Sequence, residues 1–167
     1  MSKIKQYGTL VVALMLGGGF AVSGIASFSA INSGLGGNDN SQGFNASMPS
    51  EGFQSSAYDL SMREQRVLAY NNDVVFVNAF YGNESQRQRM SQYTELSDRF
   101  DGRVYVSLAN SSEPSDLKIN YGIVDYPAVV VVGSDGPTTP EDTSISAVSE
   151  TICSGFRSLG QQSAQCL

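Results

Sequence analysis

Residues 73–90 read DVVFVNAFYGNESQRQRM, and the reading of this stretch decides the fold. Val74 to Phe80 is β-branched and apolar on both faces, the pattern of a strand buried on both sides in a parallel sheet. The run breaks at Tyr81-Gly82, and the polar, helix-favouring residues that follow make it a strand handing over to a helix. The helix is expected over 84–100, where Met90, Tyr93, Leu96, Ser97 and Phe100 are spaced to share one face. RVYVSLAN, residues 103–110, is a second strand. Strand, helix, strand implies a right-handed crossover between parallel strands, hence an α/β domain.

Working outward, Ser61-Met62-Arg63-Glu64 has the Ser-x-x-Glu form in which the hydroxyl and the carboxylate each satisfy a free backbone donor, and REQRVLAY continues it as a helix. On the other side a short helix is expected around 115–120, followed by YGIVDYPAVVVVG at 121–133. Pro127 lacks an N–H and so belongs at the head of its strand. Gly133-Ser134-Asp135-Gly136 is a hairpin-type turn, and a last helix spans about 146–156.

Taken together, VVFVNAFYG, a helix ending ELSDRF, VYVSLAN and YGIVDYPAVVVVG resemble the thioredoxin superfamily over roughly 59 to 156. The resemblance implies a thioredoxin-like central sheet flanked by helices, and a cis proline at Pro127 facing the turn between Tyr81 and the following helix. It also implies a groove beside Tyr126 and Pro127 that holds an extended peptide through backbone hydrogen bonds. The family carries Cys-x-x-Cys at that helix start, where the helix dipole favours a thiolate. Here the two positions are Ser85 and Gln88 when counted from Phe80-Tyr81, or Asn83 and Gln86 when counted back from the helix and from Pro127. Either frame lacks both thiols, so the usual dithiol chemistry has no residues to run on.

Asn83, Glu84, Ser85 and Gln86 are thus a vestigial active-site turn, and no catalytic residue is assigned. Ser85 as a nucleophile needs an adjacent base, and the chain has no His. The architectural reading fits better: Asn83 or Ser85 caps the helix, Glu84 complements its positive end, and Arg87 and Arg89 form a solvated cationic edge. The absence of His also removes the commonest metal ligand. No metal or cofactor is expected. Asn38-Asp39-Asn40 lacks the spacing and closing Glu of a calcium loop.

The two cysteines, Cys153 and Cys166, form an even pair in a chain read as extracytoplasmic, and a structural disulfide folding the tail back on the last helix is expected. The alternative is a thiol-disulfide oxidoreductase or redox accessory protein using Cys153 and Cys166.

The amino terminus is of another kind. MSKIK is basic, and Gly8 to Ile31 carries no charge over about twenty-four residues, long enough to span a bilayer as a helix. Two readings stay open for 1–31: a signal-anchor helix retained with the body outside, or a signal peptide cleaved among its small residues. Residues 32–57 are rich in Gly, Ser and Asn and read as a flexible tether. The thioredoxin-like domain is placed at 58–167, with a disulfide-closed tail. The net charge of -6 argues against nucleic acid, since phosphate binding needs a basic face. The expected function is a membrane-tethered or secreted, non-catalytic domain that binds an extended peptide or protein partner, or serves as an envelope scaffold. Its membrane contact would run through residues 8–31.

Overall fold

The computed structural model describes residues 46–113, 115–157 and 164–166, all within the unit Phe44–Leu167. The hydrophobic segment 8–31 and the tether as far as residue 45 lie outside the described residues. The fold is α/β, built on a five-stranded mixed sheet flanked by helices. In chain order the elements are β1 (Phe53–Gln54), α1 (Met62–Asn72), β2 (Val75–Tyr81), α2 (Glu84–Met90), a 3-10 turn (Ser91–Glu95), α3 (Leu96–Arg99) and β3 (Val104–Asn110). Then come α4 (Asp116–Asn120), β4 (Ala128–Gly133), β5 (Gly136–Thr138), α5 (Ile145–Gly155) and a 3-10 turn at Ala164–Cys166. The strand order is β1-β3-β2-β4-β5. β1 and β2 run parallel to β3, and β4 runs antiparallel to β2 and β5.

The two-residue period of β2 sorts the core into two faces. Val75, Val77 and Ala79 point to the side where Met90, Tyr93, Leu96 and Phe100 pack with Val148 and Ile152 of α5. Phe76 points the other way, against Leu68 and Ala69 of α1, while Phe80 meets Leu117 of α4. On that second face Asn78 is fully buried. Burying an amide is costly unless it is bonded. Its Nδ2 donates to Gln65 Oε1 at 2.8 Å, and its Oδ1 accepts from Ser107 Oγ at 3.2 Å. This polar bridge fixes α1 in register over β2 and β3.

α1 starts on the expected capping box: Ser61 N–H donates to Glu64 Oε2 at 2.7 Å, and Glu64 N–H to Ser61 Oγ at 3.3 Å. It ends at Asp73, which adopts the left-handed conformation (φ 53, ψ 49). Its carboxylate meets Arg103 Nη1 at 3.2 Å and accepts from the Arg157 N–H at 2.8 Å.

Two expectations need correction. The helix over 84–100 is not continuous. Ser91 Oγ donates to the Gln88 carbonyl at 2.7 Å and Thr94 Oγ1 to the Ser91 carbonyl at 2.8 Å; these hydroxyls compete for helix acceptors where the chain tightens into 3-10 geometry. The shared face survives the break, with Met90, Tyr93, Leu96 and Phe100 all buried. Secondly, order reaches into the segment read as tether. Phe53 and Gln54 pair with Val106 and Ser107, and Gly52 C=O accepts from Val106 N–H at 2.7 Å. Ala46 and Met48 pack against the second core face.

Candidate functional site

The turn that follows β2 is built by side chains bonding backbone. Asn83 is the cap of α2: it is extended (φ -153, ψ 167), and its Oδ1 accepts from Gln86 N–H at 3.0 Å. That choice between Asn83 and Ser85 follows from geometry, since the cap oxygen must reach an amide two or three residues on. Ser85 is exposed, and none of the described residues bonds its hydroxyl. Glu84 pairs with Arg87 at 2.7 Å on the exposed side of the helix, so Arg87 is ion-paired rather than simply solvated. The Arg87 hydrogen bond holds the Glu84 carboxyl below its ordinary value.

Gln86 reaches across to the loop that precedes β4. Its Oε1 accepts from the Gly82 N–H at 2.7 Å, and its Nε2 donates to the Tyr126 carbonyl at 3.0 Å. The Tyr126–Pro127 peptide bond is cis. Gly82 is where it is because the approach is tight: a Cβ there would lie 3.3 Å from both Gln86 Oε1 and Tyr126 Cβ. Turn and proline loop are therefore brought together, and the gap between them is bridged by Gln86.

Beside this bridge lies an open cleft of about 460 Å³. Gln86, Arg89, Met90 and Gln92 form one wall, Pro127 the base, and Asp142, Thr143 and Ser144 the other wall. The far wall is held in two ways. Tyr93 Oη donates to the Thr143 carbonyl at 2.5 Å. Ser144 caps α5 by accepting from Ala147 N–H at 3.2 Å, while its own N–H donates to Asp142 Oδ1 at 2.7 Å. Hydrogen bonds from Ser144 hold the Asp142 carboxyl low, and burial pushes the Tyr93 phenol up to about 12. The cleft thus offers a cation at Arg89, an anion at Asp142 and amide groups between them, a surface suited to a polar chain rather than a small apolar molecule.

A larger cleft, about 570 Å³, is walled by residues 46–51 with Gln54, Tyr58, Asp59, Leu60 and Glu64. Its charged groups are the carboxylates of Glu51, Asp59 and Glu64. The Tyr58 phenol donates to the Val106 carbonyl at 3.0 Å, and burial raises its pKa. We favour the smaller cleft because the turn, Pro127 and the α5 cap converge on it. Among the described residues no group of three His, Cys, Asp or Glu side chains could hold a metal ion.

Cys153 and Cys166 form a disulfide with Cα atoms 5.5 Å apart, partly buried against the first core face. It lies away from the turn. Gly155 meets Gly133 closely, with Ser134 N–H donating to Gly155 C=O at 2.9 Å. Gly133 ends β4, whose other end follows Pro127, and six residues of strand cover about 20 Å. Cys153 is two residues from Gly155, about 3 Å along the helix.

Sequence reasoning placed Asn83 to Gln86 and Tyr126 to Pro127 in one region but missed Arg89, Asp142 and Thr143. The available signal was the pair Asp142 and Ser144 ahead of α5, a helix-start pattern. Comparison with known proteins finds no family model that matches the chain and no matching curated protein.

Proposed function

We propose that the chain is a thioredoxin-like domain that has given up dithiol chemistry and binds an extended segment of a protein partner in the cleft beside Pro127. Residues 8–31 hold it at the outer face of a membrane or direct its release there. The sheet order β1-β3-β2-β4-β5, with its mixture of parallel and antiparallel neighbours, supports the resemblance read from the sequence. The observation that carries the binding role is the cleft itself. Its walls come from three separate parts of the chain, their positions are fixed by hydrogen bonds, and they present Arg89 and Asp142 with backbone-bonding amides between. Opposed charges of this kind set the register and direction of a bound chain more than they set affinity. The oxidoreductase alternative gains nothing from a bridge that sits near the Gly133 end of β4.

The test is affinity capture from membranes of the producing cells with the full chain in detergent, comparing wild type with the Arg89→Ala/Asp142→Ala double variant. The proposal expects a protein retained by wild type and lost from the variant. Equal retention by both would move the binding surface elsewhere.

A further inference from the structure

Gln86 fills the site in a particular way. A glutamine side chain ends in a primary amide, a peptide group in miniature, with one acceptor and one donor side by side. In this structure the acceptor is met by the Gly82 N–H at 2.7 Å and the donor by the Tyr126 carbonyl at 3.0 Å. Two backbone groups from segments forty residues apart are therefore spaced to hold one amide between them. Gln86 is half-exposed and carries three rotatable side-chain bonds, so it can swing to solvent without disturbing the core.

We infer that Gln86 is an internal stand-in for a peptide group of the ligand, so that the site is self-occupied until an extended chain displaces it. This rests on the cleft-binding reading above. On displacement, a carbonyl of the bound segment accepts from Gly82 N–H and an N–H of the segment donates to the Tyr126 carbonyl. The two bonds made replace two bonds broken. Contacts of this type go to backbone, so they are blind to side-chain identity, and selectivity falls to Arg89 and Asp142. The cost of displacing Gln86 lowers affinity by about tenfold, the worth of two partly exposed hydrogen bonds. The bridge thereby keeps a sequence-tolerant site from engaging every unfolded segment it meets.

The experiment uses an array of blocked random decapeptides probed with full-length wild type, Gln86→Ala and Gln86→Met. The methionine variant keeps side-chain bulk while losing both bonds, and a melting curve checks that each variant is folded. The inference expects both variants to bind the peptides that wild type binds, about tenfold more tightly. They should also bind further sequences below the wild-type threshold. If the variants bind the same peptides equally or more weakly, Gln86 is a brace of the cleft and the stand-in role is overturned, while cleft binding stands. If neither wild type nor variants retain any peptide, the cleft reading fails and the inference falls with it.

Discussion

The Tyr93 hydroxyl donates to the Thr143 carbonyl at 2.5 Å, joining the helical segment after β2 to the loop before α5 across fifty residues of sequence. This one bond ties the two walls of the cleft, since Met90 and Gln92 flank Tyr93 and Thr143 lies between Asp142 and Ser144. Tyr93→Phe keeps the buried ring and removes the bond. It should cost about 1 kcal/mol of stability and weaken capture of the partner, read by chemical denaturation and by the pull-down.

The same phenol carries a pH dependence. Burial, aided by the Asp142 charge, raises its pKa from an ordinary 10.0 to about 12, and burial raises Tyr58 and Tyr121 as well. The folded state therefore holds these protons more tightly than the unfolded chain. Their contribution is complete below pH 10 and is lost as pH rises from there through 12. Melting temperature should fall steeply in that window, and Tyr93→Phe should flatten part of the fall. A midpoint unchanged up to pH 12 would contradict the burial of these hydroxyls.

Gly133 and Gly155 set how closely α5 approaches the sheet. A Cβ on Gly133 would stand 2.4 Å from the Gly155 carbonyl oxygen, with backbone that cannot step aside cheaply. Gly133→Ala should cost about 1–3 kcal/mol or more through overpacking. Gly102 has a positive φ of 72 but open space around its Cβ position, so Gly102→Ala should cost only about 1 kcal/mol. Urea denaturation of the two variants separates a packing constraint from a conformational one.

Cys153 and Cys166 close a loop of sequence separation 13. Replacing both by Ser should lower stability by about 3 kcal/mol in the chain-entropy model and leave peptide binding unchanged, because the bridge sits toward the far end of β4. Neither form should reduce insulin disulfides with dithiothreitol. Turnover lost on Cys153→Ser would restore the oxidoreductase reading.

How much of this could be read from sequence depends on the range of the interactions. The capping box at Ser61 and Glu64, the strand 75–81 and the valine strand after Pro127 rest on local patterns, and they were legible. β1 was not, because a two-residue strand has no period to show and only its pairing with Val106 and Ser107 defines it. The helix break at Ser91 depends on hydroxyl rotamers that a smooth apolar stripe hides. Asn78 was visible as a polar residue inside an apolar run, yet its partners Gln65 and Ser107 sit on α1 and β3. The Gln86 bridge spans forty residues; neither end of it is marked by spacing.

The central claim, that the cleft beside Pro127 holds an extended segment of a partner, is tested most directly by photo-crosslinking in the producing cells. A photoreactive phenylalanine analogue replaces Gln92 in the cleft wall, and in a second strain replaces Tyr70, which is 48% exposed on α1 over the opposite face of the sheet. The account predicts an adduct from position 92 that maps by mass spectrometry to one linear segment of one protein, and none from position 70. No adduct at 92, or the same adducts from both positions, would contradict it.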